Sequence, residues 1–413
     1  MKNTTTFENI TCAFICILLF SFDANAQWTS LSSGTTSNLN GVFFLNADTG
    51  FVAGGDATSN GIILKTVDGG ANWTTVYSGA TNTNLGAITF SSTTHGFVVG
   101  QTGLNVPILL YTTDGGNTWH NYTAVPAAGG FATVKFMDTS NGYITGANLS
   151  QYGMKTTDGG NTWTNLPPIA DDFSTICFVN TNKGFIAPDD GGLIVTNNGG
   201  STWVSLLSAS TGFISDMQFT TPAIGIAVGS ASTGPIILKT VNSGLVWTPV
   251  GSLTNGYLVA VSFPDPQNGF ALGGDTSDSP IIIATADSGS HWDTMVPPIT
   301  SGFLRDIYFP TANVGYVVGD TGKIFKYSHP TTGIKNIAEN TGFQIYPNPV
   351  KNACYWKVNN NFGNAYSTVS LYSIDGKLIA TAHYEEGMLD ISNFINGMYI
   401  LRFENIADLI EKE

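Results

Sequence analysis

Four aspartates recur at one position of a repeated box: Asp68, Asp114, Asp158 and Asp287. Carboxylates repeated in this way suggest acid–base catalysis by a pair, or coordination of a metal ion. Two further copies of the box carry Asn198 and Asn242 instead. Asn keeps the oxygen acceptor and drops the charge, so the shared task is to accept hydrogen bonds from turn N–H groups. The copies are Thr66…Asp68…Gly70…Trp73, Thr112…Asp114…Gly116…Trp119, Thr156…Asp158…Gly160…Trp163, Thr196…Asn198…Gly200…Trp203, Thr240…Asn242…Gly244…Trp247 and Thr285…Asp287…Gly289…Trp292. The Gly supplies a positive φ, and the Trp opens an outgoing strand while burying a large flat surface. The other chemistry-bearing residues are sparse. His95, His120 and His291 lack metal-ligand spacing, and no metal, cofactor or catalytic constellation is implied. There are two arginines, Arg305 and Arg402.

The elements that must position these residues are short strands. The chain has 413 residues, 48 of them Gly, and only 11% are charged, which favours many strands joined by tight turns. Trp28, Trp73, Trp119, Trp163, Trp203, Trp247 and Trp292 are spaced by 45, 46, 44, 40, 44 and 45 residues. A repeat of about 40–45 residues with four strands is that of a propeller blade. First strands start at Leu39, Leu85, Phe131, Phe173, Ile214, Leu258 and Leu304, and each ends on a Phe five residues later. Second strands start at Gly50, Gly96, Gly142, Gly184, Gly225, Gly269 and Gly315, and third strands lead into the boxes. The seventh third strand, Lys323 to Tyr327, meets no box, whereas Trp28 to Leu31 reads as a fourth strand with no partners before it. The predicted fold is therefore an all-β, seven-bladed propeller closed by its N-terminal strand, which removes the exposed sheet edges of an open ring.

Loops joining second to third strands, and fourth strands to the next blade, surround the mouth of the central channel. They carry Asp56, Asp189, Asp190, Asp275, Asp278 and Asp320, with Asp171 and Asp172 in a blade-to-blade loop. Together with Arg305 they form the predicted binding face, an acidic one suited to a cationic partner, a calcium-assisted contact or a glycan. Arg305 and Asp306 are adjacent in a strand and so face opposite ways. Asp306 matches Asp216 of the fifth blade, and two roles stay open for this pair: lining the channel or pairing across blades.

Residues 1–26 read as a signal peptide, with Lys2, an apolar run from Cys12 to Phe22, and Ala24-Asn25-Ala26 as the cleavage site after Ala26. No stretch is long enough to span a membrane. Cleavage would leave Cys177 and Cys354, in different predicted domains and without a disulfide framework; Cys177 reads as a small core residue. A net charge of −14 argues against nucleic acid as a partner. Residues 27–328 form the propeller, 329–340 a linker, and 341–413 a second module. That module holds Ile345-Tyr346-Pro347-Asn348-Pro349, Leu371 to Lys377, Leu389-Asp390-Ile391-Ser392 and Gly397 to Leu401, strands separated by Asp-Gly and Asn-Gly turns that suggest a small β-sandwich.

On these motifs, residues 27 to about 328 resemble the Asp-box (BNR) propellers found in sialidases and in the photosystem II stability/assembly-factor family. The run Gly-aromatic-x-x-Gly, an apolar strand, then Thr-x-Asp-Gly-Gly-x-x-Trp is most similar to the second branch. Residues 341–413 resemble the type A C-terminal sorting domain (Por secretion tail) of the type IX secretion system of Bacteroidota. That resemblance implies export by this machinery, with the machinery as a partner. Sialidases clamp a substrate carboxylate with three arginines, a bidentate task that Lys performs poorly. With Arg305 as its sole arginine, this propeller cannot build that triad. The arginine patch of the assembly factors is missing too. The expectation is a secreted or cell-surface, non-catalytic propeller that binds a protein or a glycan. The alternatives are a glycoside hydrolase using carboxylates of the mouth face, or a structural component of the envelope.

Overall fold

The computed structural model describes residues 13–15, 27–125, 129–147, 153–167, 173–189, 191–207, 212–251, 253, 255–328, 343–346, 353–358, 366–373, 377–383, 387–390 and 398–405. The chain forms two compact units, residues 26–329, and residues 330–413 together with 1–25. The larger unit is a ring of seven four-stranded antiparallel sheets. In blade 1 the strands are Leu39–Phe44, Gly50–Gly54, Asn60–Thr66 and Thr74–Thr81. First strands line the central channel, and fourth strands form the rim; several of these are only two residues long, such as Thr164–Asn165.

Blade 7 is completed from the other end of the chain. Gln27–Ser32 runs antiparallel to Lys323–Ser328 in an unbroken ladder, with Trp28 opposite Tyr327 and Leu31 opposite Ile324. The Trp28 and Tyr327 rings lie 5.2 Å apart. Closure by an N-terminal strand is thus the observed architecture.

Two features of the sequence pattern acquire a steric reason. The terminal Phe of each first strand lies over the Gly that opens the second strand. A Cβ on Gly50 would stand 2.4 Å from the Phe44 ring, and one on Gly269 2.3 Å from Phe263. Each box Trp then meets that Phe edge-on, as Trp163 does Phe136 with centroids 5.9 Å apart. Trp163 also meets Phe97 of the preceding blade, so one indole fastens two sheets. The six box Trp residues sit at the end of the turn, and the fourth strand begins one residue later, as at Thr164 after Trp163.

The smaller unit contains a sheet in the order Ala13–Ile15, Met398–Asn405, Tyr366–Ser373, Leu378–His383, and a three-stranded sheet of Phe343–Tyr346, Ala353–Val358 and Met388–Asp390. Cys354, Val369, Leu371 and Leu401 are fully buried in it. Ala13–Ile15 pairs in parallel with Met398–Ile400. Ala26, the expected cleavage position, lies outside the described residues.

Candidate functional site

In all six boxes the threonine is the centre of the hydrogen bonding. Thr156 is 1% exposed; its hydroxyl donates to Asp158 Oδ1 at 2.8 Å and accepts the Gly160 N–H at 2.8 Å. The Asp158 carboxylate then accepts from the Thr162 N–H and hydroxyl. Asn198 and Asn242 take the same place, accepting from Thr196 and Thr240 and from the N–H groups of Thr202 and Val246. Hydrogen bonds from Thr118 and Thr112 hold the Asp114 carboxyl well below the usual carboxylate range. Lysines of the third strands reach the next blade: Lys65 donates to the Gly115 carbonyl, Lys155 to Gly199 and Lys326 to Gly69. The indole edges of Trp73, Trp119, Trp163, Trp203 and Trp247 are buried without an acceptor, so these side chains contribute by packing.

At the opposite end of the channel, carboxylates of the expected acidic face are engaged in their own turns. Asp56 accepts the N–H groups of Thr58 and Ser59 and the Thr58 hydroxyl, which lower its pKa. Asp275 accepts from the N–H groups of Ser277 and Ser279, again with a lowered pKa. Asp278, at φ +59°, accepts the Tyr257 hydroxyl at 3.3 Å. Asp320 accepts from Arg305 Nε at 2.5 Å. These carboxylates hold their own turns and neighbours, because an Asp in a short loop finds N–H donors two or three residues on before it meets a ligand. Asp189 is exposed in the blade 4 loop. Asp171, Asp172 and Asp190 lie outside the described residues.

What the mouth presents instead is a groove of about 300 Å³ lined by Asn40, Asn84, Gly86, Tyr257, Val259, Phe303, Leu304 and Arg305. Its origin is a β-bulge. In every first strand the ladder slips at one residue: Asn40, Gly86, Ala132, Ser174, Ser215, Val259 and Arg305. A bulged residue is freed from pairing and its side chain is re-aimed. Asn40 uses this freedom to donate to Asn84 Oδ1 at 2.7 Å and to the Leu85 carbonyl at 3.0 Å, both in the next blade. Ser174 donates likewise to the Ile214 carbonyl. Phe303 is 42% exposed at this rim, a large apolar ring left facing solvent.

Below the groove the channel encloses about 670 Å³. Alternation along the strands points two residues of each blade inward, the one just before the terminal Phe and the one two earlier. The first set is Phe43, Thr89, Lys135, Cys177, Gln218, Ser262 and Tyr308; the second includes Thr133, Thr175, Asp216 and Asp306. Both roles left open for the aspartates are realised. They line the channel, and each accepts a backbone N–H from the next blade, Asp216 from Val261 at 3.1 Å and Asp306 from Val42 at 2.9 Å. First strands are inner edges, and these side chains satisfy N–H groups that no strand covers. Gln218 and Ser262 do the same for Phe263 and Phe309.

Lys135 escaped the sequence reading. Its Nζ lies 2.7 Å from Asp216 Oδ1 and donates to the Met217 carbonyl. The signal was its register: aligning first strands on their terminal Phe puts Lys135 on the inward face of a strand whose other face is core. Enclosure acts against its charge, but Asp216 beside it raises its pKa. Cys177, expected in the core, packs against a core cluster but is half-buried and also lines the channel, because its strand turns Ile176 and Phe178 toward the neighbouring sheets. Burial pushes its thiol pKa up. Asp306 is raised to about 7, first by desolvation and then by the negative charge of Asp216, against the Val42 hydrogen bond.

Comparison with known proteins places this architecture. Residues 344–412 match the secretion system C-terminal sorting domain, and residues 21–126 match photosynthesis system II assembly factor YCF48. Among solved structures, YCF48 bound to D1 peptide superposes with a TM-score of 0.57 at 17% identity, covering 73% of this chain and 96% of that one. The GH74 xyloglucanase of Xanthomonas campestris gives 0.57 at 13% identity, over 88% of this chain and 59% of that one. PorZ, a surface component of the type-IX secretion system of Porphyromonas gingivalis, gives 0.55 at 11%, over 88% and 57%. Identities this low establish likeness of fold. A search of curated proteins finds no match.

Proposed function

We propose, from a chain that joins a YCF48-like propeller to a secretion-system sorting domain, that the protein is a non-catalytic binding propeller exported to the outer cell surface. Its ligand is a segment of a partner protein seated on the mouth face. The observation that carries this reading is the groove beside the channel. It combines exposed Phe303 and half-buried Tyr257 with the side-chain amides of Asn40 and Asn84 and the guanidinium of Arg305. Aromatic rings supply apolar contact area at low entropic cost, and amides supply adaptable hydrogen bonds to a backbone. Mouth carboxylates engaged in their own turns are poorly placed to serve as an acid–base pair. A solved relative in complex with a peptide lends support.

The sorting domain gives the route. The match of residues 344–412 to the sorting domain supports export by the type IX machinery; recognition through residues 341–413 and removal of residues 1–26 beforehand are part of the proposal. A photo-crosslinking side chain placed at residue 303 in the exporting cells tests the binding role, with residue 245 in a box turn as the control. A polypeptide adduct from 303 and none from 245 supports it. Release of reducing sugar from xyloglucan or another polysaccharide by the purified chain would favour a hydrolase instead.

A further inference from the structure

Three ionisable side chains from non-adjacent blades meet inside the channel, and their charges do not cancel. Lys135 is committed to Asp216, at 2.7 Å. Asp306, on the seventh blade, has no cation within ion-pair distance among the described residues. Its oxygens accept the main-chain N–H groups of Val42 and Ile307. The neighbouring Arg305 is taken by Asp320. The cavity of about 670 Å³ thus holds two carboxylates against one ammonium: Lys135 acts on Asp306 from across the channel but pairs with Asp216, and one negative charge is left over. Burying an ion without a partner is costly, and the cost falls when a cation enters.

A second, independent feature stands beside that carboxylate. Phe43 of blade 1 and Tyr308 of blade 7 bring their rings together with centroids 5.0 Å apart, both half-buried on the channel wall. Tyr308 stays neutral, its pKa pushed up to about 12 by burial and by Asp306. Aromatic faces attract cations, most strongly where water is excluded. They offer no ligand to a hard metal ion, which requires six or more oxygens. A carboxylate joined to an aromatic wall selects an organic cation. Across the channel, Thr175, which donates to Asp216 at 3.4 Å, and Thr133 add hydroxyl acceptors to the lining and favour a head with several N–H donors.

We propose that the central channel is a binding site for a primary ammonium group, seated against Asp306 and the Phe43–Tyr308 pair. The group comes either on a lysine side chain of the partner or as a free amine. This goes beyond the mouth reading and stands or falls separately from it. The ammonium neutralises Asp306, and its alkyl stem passes the small mouth residues Gly86 and Ala132. No bond is made or broken.

Calorimetric titration of the full chain with butylammonium, with butyrate at equal ionic strength, and with a short lysine peptide against its norleucine counterpart tests the site. Butylammonium binds and butyrate does not. Affinity is about tenfold weaker at pH 6 than at pH 8, as Asp306 protonates. Lysine peptide binding without butylammonium binding assigns the partner-borne source, and binding of both assigns either. Asp306→Asn abolishes binding in a chain whose melting shows it folded. A measurement on the unmutated chain guards against misfolding of that variant. Cys177 on the channel wall is modified at least tenfold faster by aminoethyl methanethiosulfonate than by its sulfonatoethyl analogue, read by mass on the peptide carrying Cys177, and butylammonium slows the reaction. Equal rates for the two reagents, binding of butyrate as tight as that of butylammonium, or unchanged binding in Asp306→Asn would overturn the proposal.

Discussion

Replacing Asp306 by Asn should give a stability difference that grows with pH. Folding moves this carboxyl from an ordinary value of 3.8 to about 7, because the channel desolvates it and Asp216 repels its charge. A raised carboxyl takes up a proton on folding throughout that window, so its charge lowers stability increasingly as pH rises from about 4 to about 7, and the loss is then constant. Three units correspond to roughly 4 kcal/mol above pH 7, and the part already present at pH 5 is about 1.5 kcal/mol. Asn keeps the shape but turns one acceptor into a donor, so one of the hydrogen bonds from Val42 and Ile307 is lost, about 1–2 kcal/mol at every pH. The constant part cancels between pH values. Urea titrations of both proteins should therefore show the variant gaining about 2–3 kcal/mol relative to the parent between pH 5 and pH 8. A difference constant to about 0.5 kcal/mol would mean that Asp306 titrates normally and that the channel does not isolate its charge.

Other consequences concern the ring and its boxes. Deleting Gln27 to Leu31 strips Lys323–Ser328 of its ladder and removes Trp28 from its contact with Tyr327; the loss, about 4–6 kcal/mol for an indole surface of about 150–250 Å², opens or aggregates the ring in size-exclusion chromatography. Asp158→Asn shifts stability by only about 1 kcal/mol, since Asn198 and Asn242 already fill that role, whereas Trp163→Ala costs roughly 3–5 kcal/mol in denaturant titrations. Thr156→Val leaves the Gly160 N–H without its acceptor and costs about 1–3 kcal/mol in the same assay. The box carboxylates, with lowered pKa values at Asp68, Asp114, Asp158 and Asp287, contribute stability that is lost as pH falls below the usual carboxylate range, opposite in sign to Asp306.

The fold was legible because its determinants repeat. Seven copies of one strand pattern expose a period, and a missing box at one end with a spare Trp at the other reveals the closure. The Gly that opens each second strand and the Phe that ends each first strand were both visible. That one lies over the other is a fact of register between strands, which no single strand carries. The site was less legible for the same reason. Asp56 and Asp275 look free in sequence, yet their nearest donors are their own turn N–H groups. Lys135 and Cys177 look like isolated residues in apolar strands until seven strands close around one axis and turn the residue before each Phe inward. The β-bulge that re-aims Asn40 and Arg305 depends on a slip in pairing, and the alternation of apolar residues passes over it.

The central claim is that the ligand sits on the mouth face of the ring and that the boxes serve the fold. Hydrogen exchange on the intact exported protein, bound at the surface of the cells that export it and free in solution, tests this most directly. The account predicts slowed exchange on the bound protein in the mouth segments around residues 38–40, 84–86, 255–259 and 303–305, with the box turns around 158–162 and 242–246 unchanged. Protection confined to the box turns, or no difference between the two states, would contradict it.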